Sequence, residues 1–108
     1  MGDSLVVLCT CPDEDTGRRI AEALVREHLA ACVNRMPGVR STYRWQGQVM
    51  DEPEVLLIIK TVKSRYDALE VRLKALHPYE VPEIIAIPVV AGSAQYLTWV
   101  AAETGQSS

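Results

Sequence analysis

The chain has no uninterrupted apolar stretch longer than a few residues, far short of a bilayer span, so no membrane partner is expected. It has no basic stripe either. Eleven Lys and Arg are dispersed among fourteen acids for a net charge of −3, which leaves a nucleic-acid partner without electrostatic support. The start, Met1-Gly2-Asp3-Ser4-Leu5-Val6, carries no basic region ahead of its apolar run, so export is not expected; Val6 stands where a myristoylation signal at Gly2 needs Ser or Thr. Cysteine is sparse and odd in number. Cys9, Cys11 and Cys32 do not make a disulfide scaffold and fit reduced thiols in a cytoplasmic setting. Catalytic signatures are missing too. There is no G-x-S-x-G, no H-E-x-x-H and no phosphate-binding glycine loop, and two histidines assemble no Ser-His-Asp or Cys-His-Asn arrangement, so a non-enzymatic protein is expected. With no linker, low-complexity block or simple repeat, the 108 residues read as one domain over 1–108, its core spanning about 5–103.

What is present reads as alternating strands and helices. Leu5 to Thr10 is an apolar run of the kind a strand shows when both its faces are covered. Pro12 opens a helix with Asp13, Glu14 and Asp15 in its first turn and Gly17, Ile20, Ala21 and Leu24 as its buried stripe. A strand through Ala31 to Asn34 bends at Pro37-Gly38 and resumes with Val39, Ser41, Tyr43 and Trp45 on one face. Gln46-Gly47 turns the chain back through Asp51, Glu52 and Glu54, expected as a solvated acidic patch, into the apolar strand Val55 to Thr61. The long arms imply a hairpin that projects beyond the core. Ser64-x-x-Asp67 reads as a capping box ahead of a helix carrying Tyr66, Leu69, Leu73 and Leu76, which stops at His77-Pro78. A last strand is expected over Ile84 to Ala91, with Pro88 marking an edge or bulge. A helix from near Ser93 should then bury Tyr96, Leu97, Trp99 and Val100, with Thr104 to Ser108 as a frayed tail.

The order β-α-β-β-α-β plus a terminal helix predicts an α+β, ferredoxin-like sandwich. In that arrangement both helices lie on one sheet face, yet three strands are apolar on both. Other copies of the chain are the natural cover, and an obligate homo-oligomer follows.

The richest polar cluster is His77-Pro78-Tyr79-Glu80-Val81-Pro82-Glu83, where two prolines stiffen the segment between a helix and a strand. His77 can serve as a ligand or proton carrier, or simply complement a helix dipole. Cys9-x-Cys11 at a strand end places two sulfurs on one face, within reach of a soft ion such as Cu(I); the alternative is that Cys9 and Cys32 are small core hydrophobes. Tyr43 and Trp45 suit either packing within the hairpin or a subunit interface.

Val7-Leu8-Cys9-Thr10-Cys11-Pro12-Asp13-Glu14, Leu29-Ala30-Ala31-Cys32-Val33-Asn34, Tyr43-x-Trp45-x-Gly47, Lys60-Thr61 and the His77 to Ile84 segment closely resemble, in order and spacing, the CutA family of divalent-cation tolerance proteins. The resemblance implies a ferredoxin-like subunit in a tight homotrimer, similar in architecture to PII signalling proteins, with a role in tolerance of divalent metals. It further implies a copper or other divalent-cation site at Cys9 and His77. Leu76 replaces one of the two adjacent histidines of the family pattern, and Cys11 stands as a compensating sulfur. The alternative is a PII-like module that binds a small anionic metabolite at clefts between subunits, lined by Tyr43, Trp45, Lys60, Tyr79 and Glu83. A scaffold for an unknown protein partner is the third expectation.

Overall fold

The computed structural model describes residues 3–105. Gly2, considered above for lipidation, and Gln106 to Ser108 lie outside the described residues.

The first strand, β1, runs Ser4–Cys11 and leads into helix α1, Glu14–Arg26. Asp13 sits before the helix in extended conformation, and its carboxylate accepts the Thr16 N–H at 2.8 Å. That bond holds the Asp13 carboxyl below the usual range and satisfies one of the free donors at the helix start. The buried face of α1 is the expected one with Thr16 added: Gly17, Ile20, Ala21 and Leu24 all turn inward.

Strands β2, Cys32–Trp45, and β3, Gln48–Val62, form the projecting hairpin, which accounts for a long axis of 48 Å against 25 and 22 Å across. The expected bend at Pro37-Gly38 is an irregularity inside one continuous strand, where the register shifts between Met36 and Val39. At the tip, Gln46 and Gly47 both take positive φ, 51° and 80°, the backbone that a two-residue hairpin turn requires.

A 3-10 turn, Lys63–Arg65, then precedes α2, Tyr66–Leu76. The expected Ser64 capping box is absent because this turn puts Arg65 at the cap position, with no side-chain cap bond. The Glu70–Lys74 pair does form, at 2.8 Å. Strand β4 is only Ile85–Pro88, shorter than the expected Ile84 to Ala91, because Pro88 has no N–H to extend the ladder; Val89 N–H makes one further bond to Ser4 O at 3.0 Å.

Helix α3, Ala94–Glu103, starts at Ser93, whose hydroxyl accepts the Tyr96 N–H. Its buried arc is narrower than expected. Val100 is the buried residue, packed with Ala31 and Val62, while Tyr96 and Trp99 each stay 42% exposed. Thr104 is no frayed tail: it is fully buried, its hydroxyl donates to Val100 O at 2.9 Å and its carbonyl accepts from Arg65 Nε at 2.8 Å.

The sheet order is β2-β3-β1-β4, antiparallel throughout. Because partners in register share a face, Val7, Cys9 and Cys11 lie with Val55, Leu57 and Ile59 on the helix side and pack with Ile20, Leu24, Leu69 and Leu73. The opposite face carries Val6, Leu8, Leu56 and Ile58, continued outward by Met36 on β2 and by Ile85 and Ile87 on β4. Ile85 and Ile87 are about half exposed, at 52% and 46%. The fold therefore has one sealed face and one open apolar face.

Candidate functional site

Two sets of residues were singled out by sequence, one for a metal and one for a cleft. They meet at the same end of β1, around Thr10.

The residue before a proline is driven out of helical conformation, and His77 accordingly ends α2 with φ −82° and ψ 136°. That turn swings the imidazole inward. The ring is buried, its Nε2–H donates to the Thr10 carbonyl at 2.8 Å, and its Nδ1 accepts the Tyr79 N–H at 3.1 Å. Both nitrogens are thus committed to the backbone of the same chain. The ring also packs against Tyr79, with centroids 4.7 Å apart. Pro78 forces the exit, and His77 then ties the connector to β1.

Cys9 and Cys11 lie two residues apart on the core face of β1, both with no exposed surface. Cys9 Sγ donates to the Thr10 carbonyl at 3.7 Å; the neighbouring Cys11 sulfur and burial push the Cys9 thiol up, and the same interaction between the sulfurs pulls the Cys11 thiol down. Among the described residues, no three His, Cys, Asp or Glu side chains converge as a metal shell. Three donors that are sealed or already bonded do not fit a divalent ion, which calls for an open set of ligands in defined geometry. Cys9 is a core residue here, as the blander reading had it, and so is Cys11, whereas Cys32 is only partly buried; His77 anchors the connector to β1.

Beside this anchor, between the outer arm of the hairpin and the connector, lies a cavity of about 570 Å³. It is lined by the aromatic residues Tyr43, Trp45 and Tyr79, by Glu54, Glu80 and Glu83, and by Thr10, Ser41 and Thr42. Four of the five residues expected to line a cleft between subunits therefore meet within a single subunit. Lys60 does not line it: the lysine lies further along β3, opposite Val6 and Cys32, where its ammonium donates to the Asn34 side chain.

The phenols are fixed by the acids. Tyr79 donates to Glu54 at 2.7 Å, and Tyr43 donates to Glu52 at 2.6 Å. Burial first, then the bond to Glu54, raises the Tyr79 phenol above its ordinary value; the bond to Glu52 does the same for Tyr43. Glu54, expected as part of a solvated patch, is only 7% exposed. Its inward place was missed because it falls where the polar hairpin arm meets the apolar strand. Alternation along β3 puts Glu54 with Leu56 and Ile58 on the face away from the helices, where the Tyr79 phenol covers it. The lining contains three carboxylates and no Lys or Arg, so the small anion suggested by the PII likeness finds no counter-charge there.

The sequence model of the CutA1 divalent ion tolerance protein family matches residues 5–103. The chain belongs to that family. The divalent-cation tolerance protein CutA of Thermus thermophilus is 53% identical over 100 residues, which are 93% of this chain and 97% of that protein. The chloroplastic CutA 1 of rice is 47% identical over 96% of this chain, which spans 59% of the rice protein. The crystal structure of CutA from Xylella fastidiosa matches with a TM-score of 0.92 at 46% identity, over 94% of this chain and 98% of that one. The four-stranded antiparallel sheet and three helices are the architecture of those relatives.

Proposed function

We propose that this chain supports tolerance of divalent cations as a non-enzymatic homotrimer in the cytoplasm. Family membership across 5–103 carries the role. The open apolar sheet face supports assembly: fully covering an Ile or Met side chain is worth about 1.5–3 kcal/mol, and Met36, Ile85 and Ile87 all stand half exposed on that face in the isolated chain. Trp99 and Tyr96 on α3 add aromatic area of the kind that anchors interfaces.

Direct copper binding is the finer form of the proposal. The adjacent sulfurs of Cys9 and Cys11 support it for Cu(I), a soft ion that thiolates select, and binding there requires β1 to open locally. His77 takes part only by giving up the bond that its Nδ1 accepts from Tyr79 N–H, the Nε2–H staying on the Thr10 carbonyl.

Growth of the source cell with and without this chain in raised copper, cobalt and zinc tests the role; equal sensitivity in the two strains refutes it. Sedimentation equilibrium tests the trimer. Titration of Cu(I) against a competing chelator, in parent, Cys9→Ser and Cys11→Ser proteins, tests direct binding, and one equivalent lost in both variants is the expected outcome.

A further inference from the structure

We propose that the cavity beside Tyr79 is a binding site for a small organic cation, an alkylated ammonium held by aromatic faces and carboxylates. Its volume, about 570 Å³, lies within the range of small-molecule pockets. Its lining is of one charge sign. Glu80 and Glu83 enter none of the six ion pairs formed among the described residues, so their charge is left for something from outside the chain.

The aromatic groups decide between cation classes. Tyr43, Trp45 and Tyr79 line the same space as Glu54, Glu80 and Glu83, and a weakly hydrated alkylammonium is the cation that gains from aromatic neighbours. A hydrated divalent ion gains little from them and needs several converging ligands, which the cavity does not offer among the described residues. The hydrogen bonds to Glu52 and Glu54 point the phenolic oxygens at carboxylates. This site is independent of the sulfur pair and of the tolerance role.

The test uses the assembled full-length protein, with choline as probe and its neutral isostere 3,3-dimethylbutan-1-ol as control, read by isothermal titration. The expected result is saturable choline binding at least about tenfold tighter than that of the alcohol. Glu80→Gln with Glu83→Gln, both at exposed positions, should weaken choline about fivefold or more without changing the melting temperature. Trp45→Leu should weaken it as well, with circular dichroism confirming the fold. Equal affinity for choline and the alcohol overturns the proposal, as does no saturation up to about 20 mM, the outcome if a neighbouring copy fills the cavity. Binding of calcium or magnesium that displaces choline and survives Trp45→Leu also overturns it, in favour of an inorganic ion.

Discussion

Replacing His77 by alanine separates a structural anchor from a metal ligand. The variant removes two hydrogen bonds, from Nε2 to the Thr10 carbonyl and from the Tyr79 N–H to Nδ1, and leaves those two backbone groups in a poorly hydrated place. Each bond contributes about 0.5–1.5 kcal/mol net, and an orphaned buried group costs about 1–3 kcal/mol. With the lost packing of the ring on Tyr79, the expected destabilisation is about 2–4 kcal/mol. For a chain of this size that corresponds to a fall in Tm of roughly 10–20 °C. The measurement is thermal unfolding followed by circular dichroism at one fixed subunit concentration, since dissociation of an oligomer couples to unfolding. A parallel Cu(I) titration, well below both transitions, should give the parent stoichiometry. A Tm within about 3 °C of the parent would refute the anchor, because even one lost buried bond should move it further. Loss of a copper equivalent at unchanged Tm would make His77 a ligand.

Tyr79 gives a pH prediction. Its phenol is raised in the folded chain, so the neutral form is favoured there, and this contribution to stability is full below the ordinary tyrosine value near 10 and lost as pH rises through the higher folded value. The parent should therefore exceed Tyr79→Phe by a constant margin in Tm from about pH 7 to 9, with the margin closing above about pH 10; a margin that widens there contradicts the assignment. Ile87→Asp, on the open sheet face, should leave each subunit's helix-side core intact but shift sedimentation toward smaller species; an unchanged sedimentation coefficient would mean that another surface holds the copies together. Gly47→Ala forces a side chain into φ of 80° and should cost about 1–2 kcal/mol in guanidinium unfolding, whereas an unaltered midpoint would show that the turn relaxes freely.

Most of the fold was legible because local signals agreed with one another. The stripe Gly17, Ile20, Ala21 and Leu24 has helical spacing and is buried as read, and Gln46-Gly47 marks a two-residue turn whose positive φ values suit a hairpin. The failures lie where tertiary partners outweigh pattern. Thr104 looks like a tail residue, yet Arg65, distant in sequence, ties it down. Tyr96 and Trp99 look like core, yet α3 reaches only one end of the sheet and leaves them open. Ser64 looks like a cap, but the tight turn that β3 needs before α2 uses that position. How the expected metal set is held was illegible for a similar reason. Residue types at a strand end say which atoms are present; they do not say that the atoms are buried and already bonded to the backbone.

That last point explains how the stiff connector is used. Pro78 forces His77 to leave the helix in extended conformation, and His77 then grips β1 through Thr10. With one ring nitrogen on Thr10 and the other on Tyr79 N–H, the imidazole bridges the first strand to the residue whose phenol reaches Glu54 on the third. Proline, imidazole, phenol and carboxylate thus form one chain of constraints across the end of the sheet. A single histidine is enough for it, since both ring nitrogens are used and a second imidazole at position 76 would have no part. Leu76 instead packs against the core. Leu76 beside a single histidine is therefore coherent with a connector whose task is to hold the wall of the cavity.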